Sequence, residues 1–232
     1  IVNKASSIFI KTLKNFGVNR FFCVPGESYL SIMDELISSQ DMDVVTCRHE
    51  GGAGFMALAD AKCTGKAGIA FVSRGPGATN ASIAVHSAHQ GGVPMILFIG
   101  QVNRKSIGKM HLQEMDFTKT FSDMSKHVEQ IIDPEEIANV TAKAFSIAEE
   151  GIPGPVVISI PTDVLETRVN CLPRKRVNKI ISKTDPEDIK KVVKELSFAK
   201  KPTLVAGGEL QFSKDSKTLI EKVANKYFFT CF

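Results

Sequence analysis

The chain has 232 residues, 43% of them hydrophobic and 23% charged, with 29 basic side chains against 25 acidic and a formal net charge of +4. That length buries a sizeable core without staples, and the composition is that of a soluble globular protein rather than a disordered or membrane one. The near balance of charge supplies no strong field for nucleic acid or anionic lipid, and no apolar run reaches the roughly 18 residues of a membrane span.

The opening Ile1-Val2-Asn3-Lys4-Ala5-Ser6 has no charged stretch ahead of an apolar core of signal-peptide length, so a cytoplasmic location is expected. From there short apolar runs alternate with longer amphipathic stretches. In chain order the pattern predicts a helix over Ala5–Phe16, a strand over Arg20–Val24, a helix over Tyr29–Ser38, a strand over Val44–Cys47 and a helix over Gly52–Cys63. A strand over Gly68–Val72, a helix over Ala78–His89 and a strand over Met95–Gly100 follow. Strands over Val128–Ile132 and Val156–Ile160 then enclose a helix over Pro134–Glu149, with Asp133 as its N-cap, Pro134 at its first position and Glu136 three residues after the cap. Several strands are apolar at every position, as parallel strands covered on both sides are. The fold class is therefore α/β: a parallel sheet flanked by helices on both faces.

Gly151-Ile152-Pro153-Gly154-Pro155 breaks the last of these helices, and Pro161 closes the last strand. A first domain over residues 1–166 is expected, then a basic linker over 167–182 that crosses the surface and includes Arg174-Lys175-Arg176, then the start of a second, incomplete domain over 183–232. In that second part Asp185-Pro186-Glu187 opens a helix, Pro202–Ala206 reads as a strand, Gly207-Gly208 as a turn and Leu219–Lys226 as a helix, with Phe232 in or just after a further apolar segment. The five cysteines, Cys23, Cys47, Cys63, Cys171 and Cys231, are never spaced as C-x-x-C, so neither a zinc site nor a disulfide framework is indicated. Cys23 and Cys47 sit in strand-like runs as small buried hydrophobes.

Ligands gather at the carboxyl ends of parallel strands, and three strand ends carry unusual loops. Pro25-Gly26-Glu27-Ser28 reads by itself as a tight turn into a helix. In Arg48-His49-Glu50-Gly51-Gly52-Ala53-Gly54, spacing alone makes Glu50 a helix-start charge and His49 a hydrogen-bonded structural residue, with glycines that admit another backbone. Ser73-Arg74-Gly75-Pro76-Gly77-Ala78-Thr79-Asn80 looks superficially like a phosphate loop. It lacks the third glycine of G-x-G-x-x-G, the acidic residue expected further on, and the lysine of a P-loop, so a dinucleotide-binding reading is weak.

Taken together, these loops with Pro94, Gly100-Gln101 and Leu112-Gln113-Glu114 resemble, over about residues 3–166, the pyrimidine-binding domain of thiamine-diphosphate-dependent enzymes, and among them the acetolactate synthase group. The later Lys201-Pro202-Thr203-Leu204-Val205-Ala206-Gly207-Gly208 is more loosely similar to the opening of that family's central domain. The resemblance implies that Glu50 hydrogen-bonds the cofactor's pyrimidine nitrogen and that Gln113 joins it in catalysis. It further implies that Pro25, Gly26, Ser73, Pro76 and Asn80 line the pyrimidine or reaction pocket. The implied reaction is decarboxylation of a 2-keto acid, pyruvate first, with transfer of the fragment to a second carbonyl, in a homodimer or homotetramer. The Gly51–Ala57 stretch suits close helix packing, either between two subunits or inside one.

Two departures stand out. Leu112-Gln113-Glu114 replaces the family's usual Phe-Gln-Glu, which leaves the acceptor open, and no G-D-G with a following asparagine is present. No metal ligand is therefore expected in this chain, and magnesium and diphosphate binding belong to a further domain. A flavin, found in true acetolactate synthases, makes its contacts largely in parts that this chain lacks. A related lyase releasing an aldehyde, and a non-catalytic remnant serving as an assembly partner, are the alternatives.

Overall fold

Unbroken burial along the central strands shows why this chain makes one sheet covered on both faces. In the computed structural model, which describes residues 2–38, 42–177, 183–208, 210, 215–227 and 230–231, strand β1 (Asn3–Lys4) leads into helix α1 (Ala5–Asn15). Strand β2 (Arg20–Cys23), α2 (Leu30–Ile37), β3 (Asp43–Thr46), α3 (Glu50–Thr64), β4 (Gly68–Ser73), α4 (Arg74–Gln90) and β5 (Met95–Gln101) follow. The short α5 (Phe117–Phe121), β6 (His127–Gln130), α6 (Ile137–Glu149), β7 (Pro155–Pro161), α7 (Thr162–Glu166) and β8 (Arg168–Val169) complete the first unit.

The sheet is six-stranded and parallel, in the order β3-β2-β4-β5-β7-β6. Ile69, Phe71, Ile96, Phe98, Val156 and Ile158 point to one face, where they meet α1, α2, α6 and α7. Their alternate neighbours Ala70, Val72, Leu97, Ile99 and Val157 point to the other, against α3, α4 and α5. A period of two with both phases buried is what covered parallel strands require. The first face is aromatic: Phe9 meets Phe98 edge-on at 4.8 Å, and Tyr29 and Phe21 lie against Phe71. The second is built from small residues. A Cβ at Gly54 would stand 2.5 Å from the Ala84 Cβ, and one at Gly68 only 1.9 Å from the Ala57 carbonyl oxygen, so α3, α4 and β4 approach as closely as glycine alone permits.

The six predicted strands and five predicted helices all form, with shifted ends. Helix α3 starts two residues early, at Glu50, and α4 four residues early, at Arg74, because the first turn of a helix tolerates the Gly-Pro-Gly that looks like a loop. Asp133 caps as expected by accepting from the Glu135 N–H at 3.0 Å; a 3₁₀ turn over Pro134–Glu136 precedes α6, and Glu136 bonds Asn139 instead of reaching back.

The first compact unit extends to about residue 178 and takes in most of the segment expected to be a linker. Strand β8 pairs antiparallel with β1. The Asn170 and Cys171 N–H groups bond the Glu135 carboxylate, and Arg174 bonds Thr12 and Asn139. Arg176, read in the sequence as part of a solvated run, instead holds the buried Glu149 through Nη1 at 2.7 Å and Nη2 at 3.0 Å and lies over the Phe16 ring. A buried carboxylate demands such a partner, and its supplier lies 27 residues away, out of reach of any local pattern. Residues 178–182 of the expected linker, and Phe232, lie outside the described residues.

In the second unit α8 (Pro186–Phe198) begins at Asp185, whose side chain accepts from the Glu187 N–H at 2.9 Å. Strand β9 (Thr203–Leu204) is shorter than the expected Pro202–Ala206 and pairs in parallel with β10 (Thr230–Cys231), the last element after α9 (Ser216–Tyr227). Gly207 turns the chain, its carbonyl accepting from the Leu210 N–H.

Candidate functional site

The path of the chain reverses between β2 and β4: from β2 it runs outward to β3, then returns to pair on β2's other side. A crevice opens beyond the carboxyl ends of strands at such a point. Pro25 and Gly26 leave β2 there, and Ser73 ends β4 opposite them. Gly26 is needed for the approach, since a Cβ on it would stand 2.6 Å from the Ser73 Cβ. The buried Ser28 hydroxyl bonds the Ser73 hydroxyl at 2.8 Å, and it occupies the space over Gly100 where a Cβ would come within 2.1 Å of it. Thr162 donates to the Gln101 carbonyl at 3.0 Å. The ends of β2, β4, β5 and β7 are thus knitted by short polar side chains.

Glu50 arrives from the neighbouring strand β3 at the first position of α3. His49 caps that helix, its Nδ1 accepting from the Gly51 N–H at 3.0 Å, which is the structural role expected of it. The half-buried Glu50 carboxylate accepts from Asn80 Nδ2 through Oε2 at 2.9 Å. Its other oxygen, Oε1, accepts no hydrogen bond among the described residues and faces Gly77, where a Cβ would stand 3.3 Å away. Asn80, beside this carboxylate, and Pro76 lie exposed on the first turns of α4.

Behind Glu50 the buried Tyr29 hydroxyl donates to the Val24 carbonyl. Burial first, then the charges of Cys23 and Glu50, pushes that phenol far above its ordinary range. Burial likewise pushes the Cys23 thiol up to about 11, so the cysteine is inert, as its strand position suggested. Cys47 is half-buried and free.

Gln113 enters differently from the other candidates. Its side chain is exposed, its φ is +63°, and it is the backbone carbonyl that engages the site, accepting from the Gly75 N–H at 2.9 Å. The loop that carries it is fastened at both ends. Arg104 donates to Asp163 from its backbone N–H at 2.9 Å and from Nε at 2.7 Å, and Gln101 Nε2 donates to the Met115 carbonyl at 2.9 Å. Partial burial would raise the Asp163 carboxyl, but the bonds from Arg104 outweigh it and hold that carboxyl below the usual range. At the exposed tip, bonds from the Gly108 and His111 N–H groups lower the Glu114 carboxyl in the same sense.

The structure therefore brings Gly26 and Ser73 together, bonds Glu50 to Asn80 and ties Gln113 to the start of α4, while Pro25 and Pro76 are placed by their chain neighbours Gly26 and Gly77. Sequence reasoning missed Ser28, Gln101 and Thr162 as organisers of these strand ends. The only local trace was a serine and a glycine in separate loops, and their contact is tertiary.

Residues 3–120 match the family described as thiamine pyrophosphate enzyme, N-terminal TPP binding domain. The chain belongs to that family. Among curated relatives, this thiamine pyrophosphate enzyme chain is 34% identical over 212 residues to the acetolactate synthase large subunit of Lactococcus lactis, covering 90% of the chain and 37% of the relative. It is 34% identical over 220 residues to the large subunit from Buchnera aphidicola, covering 92% and 38%. To the mitochondrial acetolactate synthase catalytic subunit of Saccharomyces cerevisiae it is 31% identical over 231 residues, covering 94% and 34%. The chain thus spans somewhat over a third of the length of these relatives.

The site fits the pyrimidine end of thiamine diphosphate: a half-buried carboxylate is oriented through one oxygen and open at the other, with glycine beside it where a side chain would intrude. Among the described residues no group of three or more His, Cys, Asp or Glu is placed to hold a metal ion, and no helix is long and apolar enough to cross a membrane.

Proposed function

We propose that this chain supplies the pyrimidine-facing half of a thiamine-diphosphate site in an enzyme that decarboxylates a 2-keto acid, pyruvate in the first instance, and joins the fragment to a second carbonyl. The observation that carries the reading is the Glu50 carboxylate, held by Asn80 and open at Oε1, in a chain of this family. When bound, the cofactor supplies a thiazolium carbon that attacks the keto acid and a ring that accepts the electrons left as carbon dioxide departs.

The chain's own residues do the rest. Glu50 shares a proton at the pyrimidine nitrogen and so biases the ring toward the tautomer that activates the cofactor. Asn80 keeps the carboxylate turned toward it. Gly77 and Gly51 let the starts of α3 and α4 close up around that contact, a Cβ on Gly51 falling 3.1 Å from the Asn80 carbonyl oxygen. Pro25, Gly26, Ser73 and Pro76 shape the pocket wall, and Gln113 stands on the substrate side.

Magnesium and the diphosphate belong to a further domain, in a cytoplasmic homodimer or homotetramer whose neighbouring subunit brings that domain to Glu50. The assembly reading draws on the exposed face of α3 and α4, where Phe55, Met56 and Ile83 are open and Gly52 has no heavy atom near the place of a Cβ. Flavin stays outside the proposal, since no residue of this chain argues for it.

Native mass spectrometry of the full-length protein with thiamine diphosphate and magnesium tests this directly. Cofactor retained by a dimer or larger species supports it; a monomer without cofactor overturns it. Product analysis then separates acetolactate, expected here, from the free aldehyde of a simple decarboxylase.

A further inference from the structure

The loop between β5 and α5 is fastened near its ends, at Arg104 and Met115, but the tip between them has no core beneath it. Met110 is 96% exposed and Leu112 71%. The tip is nonetheless tightly wound: Gly108, Met110 and Gln113 take φ of +79°, +53° and +63°. Glycine adopts such angles freely, whereas the two L side chains are held there at a cost in strain. Packing cannot offset that strain at so exposed a tip. Local backbone bonds, such as that from the Lys109 N–H to the Ser106 carbonyl at 3.2 Å, are equally available to a relaxed loop.

One side chain holds the turn. The Glu114 carboxylate accepts from the Gly108 N–H through Oε1 and from the His111 N–H through Oε2 at 3.0 Å, and the Glu114 N–H donates back to the His111 carbonyl at 2.9 Å. Among the described residues no other side chain bonds residues 108–113. A carboxylate with a backbone N–H on each oxygen makes charge-assisted bonds, stronger than those of a neutral acceptor.

The turn ends at the candidate site. Gln113 immediately precedes Glu114, and its left-handed backbone brings its carbonyl to the Gly75 N–H at 2.9 Å. That N–H belongs to the first turn of α4, where the donors have no partner within the helix. The loop therefore caps the helix that carries Pro76 and Asn80.

We propose that Glu114 is a positioning residue for the reaction: its carboxylate winds the 108–114 turn and thereby docks Gln113 on the first turn of α4. Glu114 acts through Gln113 and not on the substrate itself. The inference rests on the proposed function for what Gln113 does, and adds the group that sets it in place.

The test uses the full-length protein with thiamine diphosphate and magnesium, and reads hydrogen exchange at the Gly75 and His111 amides beside steady-state kinetics with pyruvate. Glu114→Gln keeps the length of the side chain but turns one acceptor into a donor facing an N–H. Exchange at both amides is expected to quicken by about tenfold or more and kcat/KM to fall by about tenfold, with cofactor retention and melting temperature unmoved. The Gly75 amide decides, because Glu114 does not touch it. Glu114→Asp, too short to reach both amides, serves if the glutamine variant fails to fold.

A second substitution separates geometry from charge. Asparagine enters the left-handed region more readily than methionine, and the exposed Met110 side chain has no packing to lose. Met110→Asn alone should leave exchange and kinetics unaltered. Added to Glu114→Gln, it should restore protection at Gly75 and recover about threefold or more of kcat/KM, although it restores no charge.

Faster exchange at His111 with Gly75 still protected would make Glu114 a staple of the tip alone and overturn the proposal. A fall in kcat/KM that Met110→Asn does not recover would overturn it too, by assigning the loss to charge. The exchange readout needs no turnover, which keeps the two readings apart. A protein that turns over pyruvate, with Gly75 protection unmoved in Glu114→Gln, sinks the positioning role alone. An unmodified protein that neither holds cofactor nor consumes pyruvate sinks the proposed function, and the role of Glu114 in the reaction with it.

Discussion

Asn80 donates its side-chain amide to Glu50 Oε2 at 2.9 Å, a bond from the second turn of α4 to the first residue of α3. Thirty residues separate the two along the chain, and among the described residues the other carboxylate oxygen accepts no hydrogen bond. If Glu50 acts on the cofactor through that oxygen, replacing it with glutamine keeps an acceptor for Asn80 and removes the shared proton. Glu50→Gln is then expected to lower turnover by about 10²–10⁴-fold. The melting temperature should barely move, since the site is half open to water. Asn80→Ala loosens the carboxylate without deleting it, and a smaller fall, of about tenfold to a hundredfold, is expected. Steady-state kinetics with thermal denaturation of both variants checks the pair; equal losses, or unaltered turnover in Glu50→Gln, would remove Glu50 from the mechanism.

The glycines of α3 divide into two classes. Gly54→Ala drives a methyl to within 2.5 Å of the Ala84 Cβ and is expected to destabilise by about 1–3 kcal/mol through overpacking. Gly52→Ala meets nothing within 4 Å, so a single subunit should lose no stability and gain from reduced chain entropy. Urea denaturation separates these. Should Gly52→Ala lower the dimer fraction in sedimentation, the open glycine face is a contact between copies, whereas an unchanged fraction places that contact elsewhere.

Arg176→Ala removes the cation from the buried Glu149, which keeps its bond from the Ala67 N–H, and from the Phe16 and Phe145 rings. Removing one member of a buried pair costs about 3–5 kcal/mol, and the partial exposure of Arg176 brings the expectation to about 2–3 kcal/mol. The urea midpoint measures it. A loss below about 0.5 kcal/mol would mean that Glu149 finds other compensation.

Stability should decline on the alkaline side. The Cys23 thiol is raised from 9.0 to about 11 in the folded chain, so its contribution is complete below pH 9 and is lost as pH rises from about 9 through 11, because only the unfolded chain readily gives up the proton. The buried Tyr29 phenol, raised further, acts in the same sense above its ordinary value of 10.0. Cys23→Ala should flatten the first part of that decline in a pH series of denaturation midpoints. Native-state thiol titration at pH 8 should count the exposed Cys63 and leave Cys23 unreacted.

The central strands were legible because burial on both faces demands apolar residues, and Gly68–Val72, Met95–Gly100 and, apart from the buried Ser159, Val156–Ile160 satisfy it without help from their neighbours. The elements that went unread are those too short to show a period. Helices α5 and α7 have five residues each, and the β1–β8 ladder pairs two residues of each strand from opposite ends of the first unit. Glu50, Asn80 and the Gly-rich loops could be picked out by their order along the chain. The hydrogen bond between the two, and the docking of Gln113 through its carbonyl rather than its side chain, could not.

Composition and periodicity alone determined the class of this protein: they settle which residues flee water and at what spacing, and that decides between helix and strand and between one covered face and two. Which loops meet was decided only by the tertiary structure. The crossing from β3 back to β4 places Gly26 against Ser73, Glu27 against Arg74 and Glu50 against Asn80, contacts between residues 30 to 47 positions apart in the chain. Short polar side chains carry no long-range signal of their own, and they acquire a partner only when the packing of an apolar sheet has already brought the ends of its strands together.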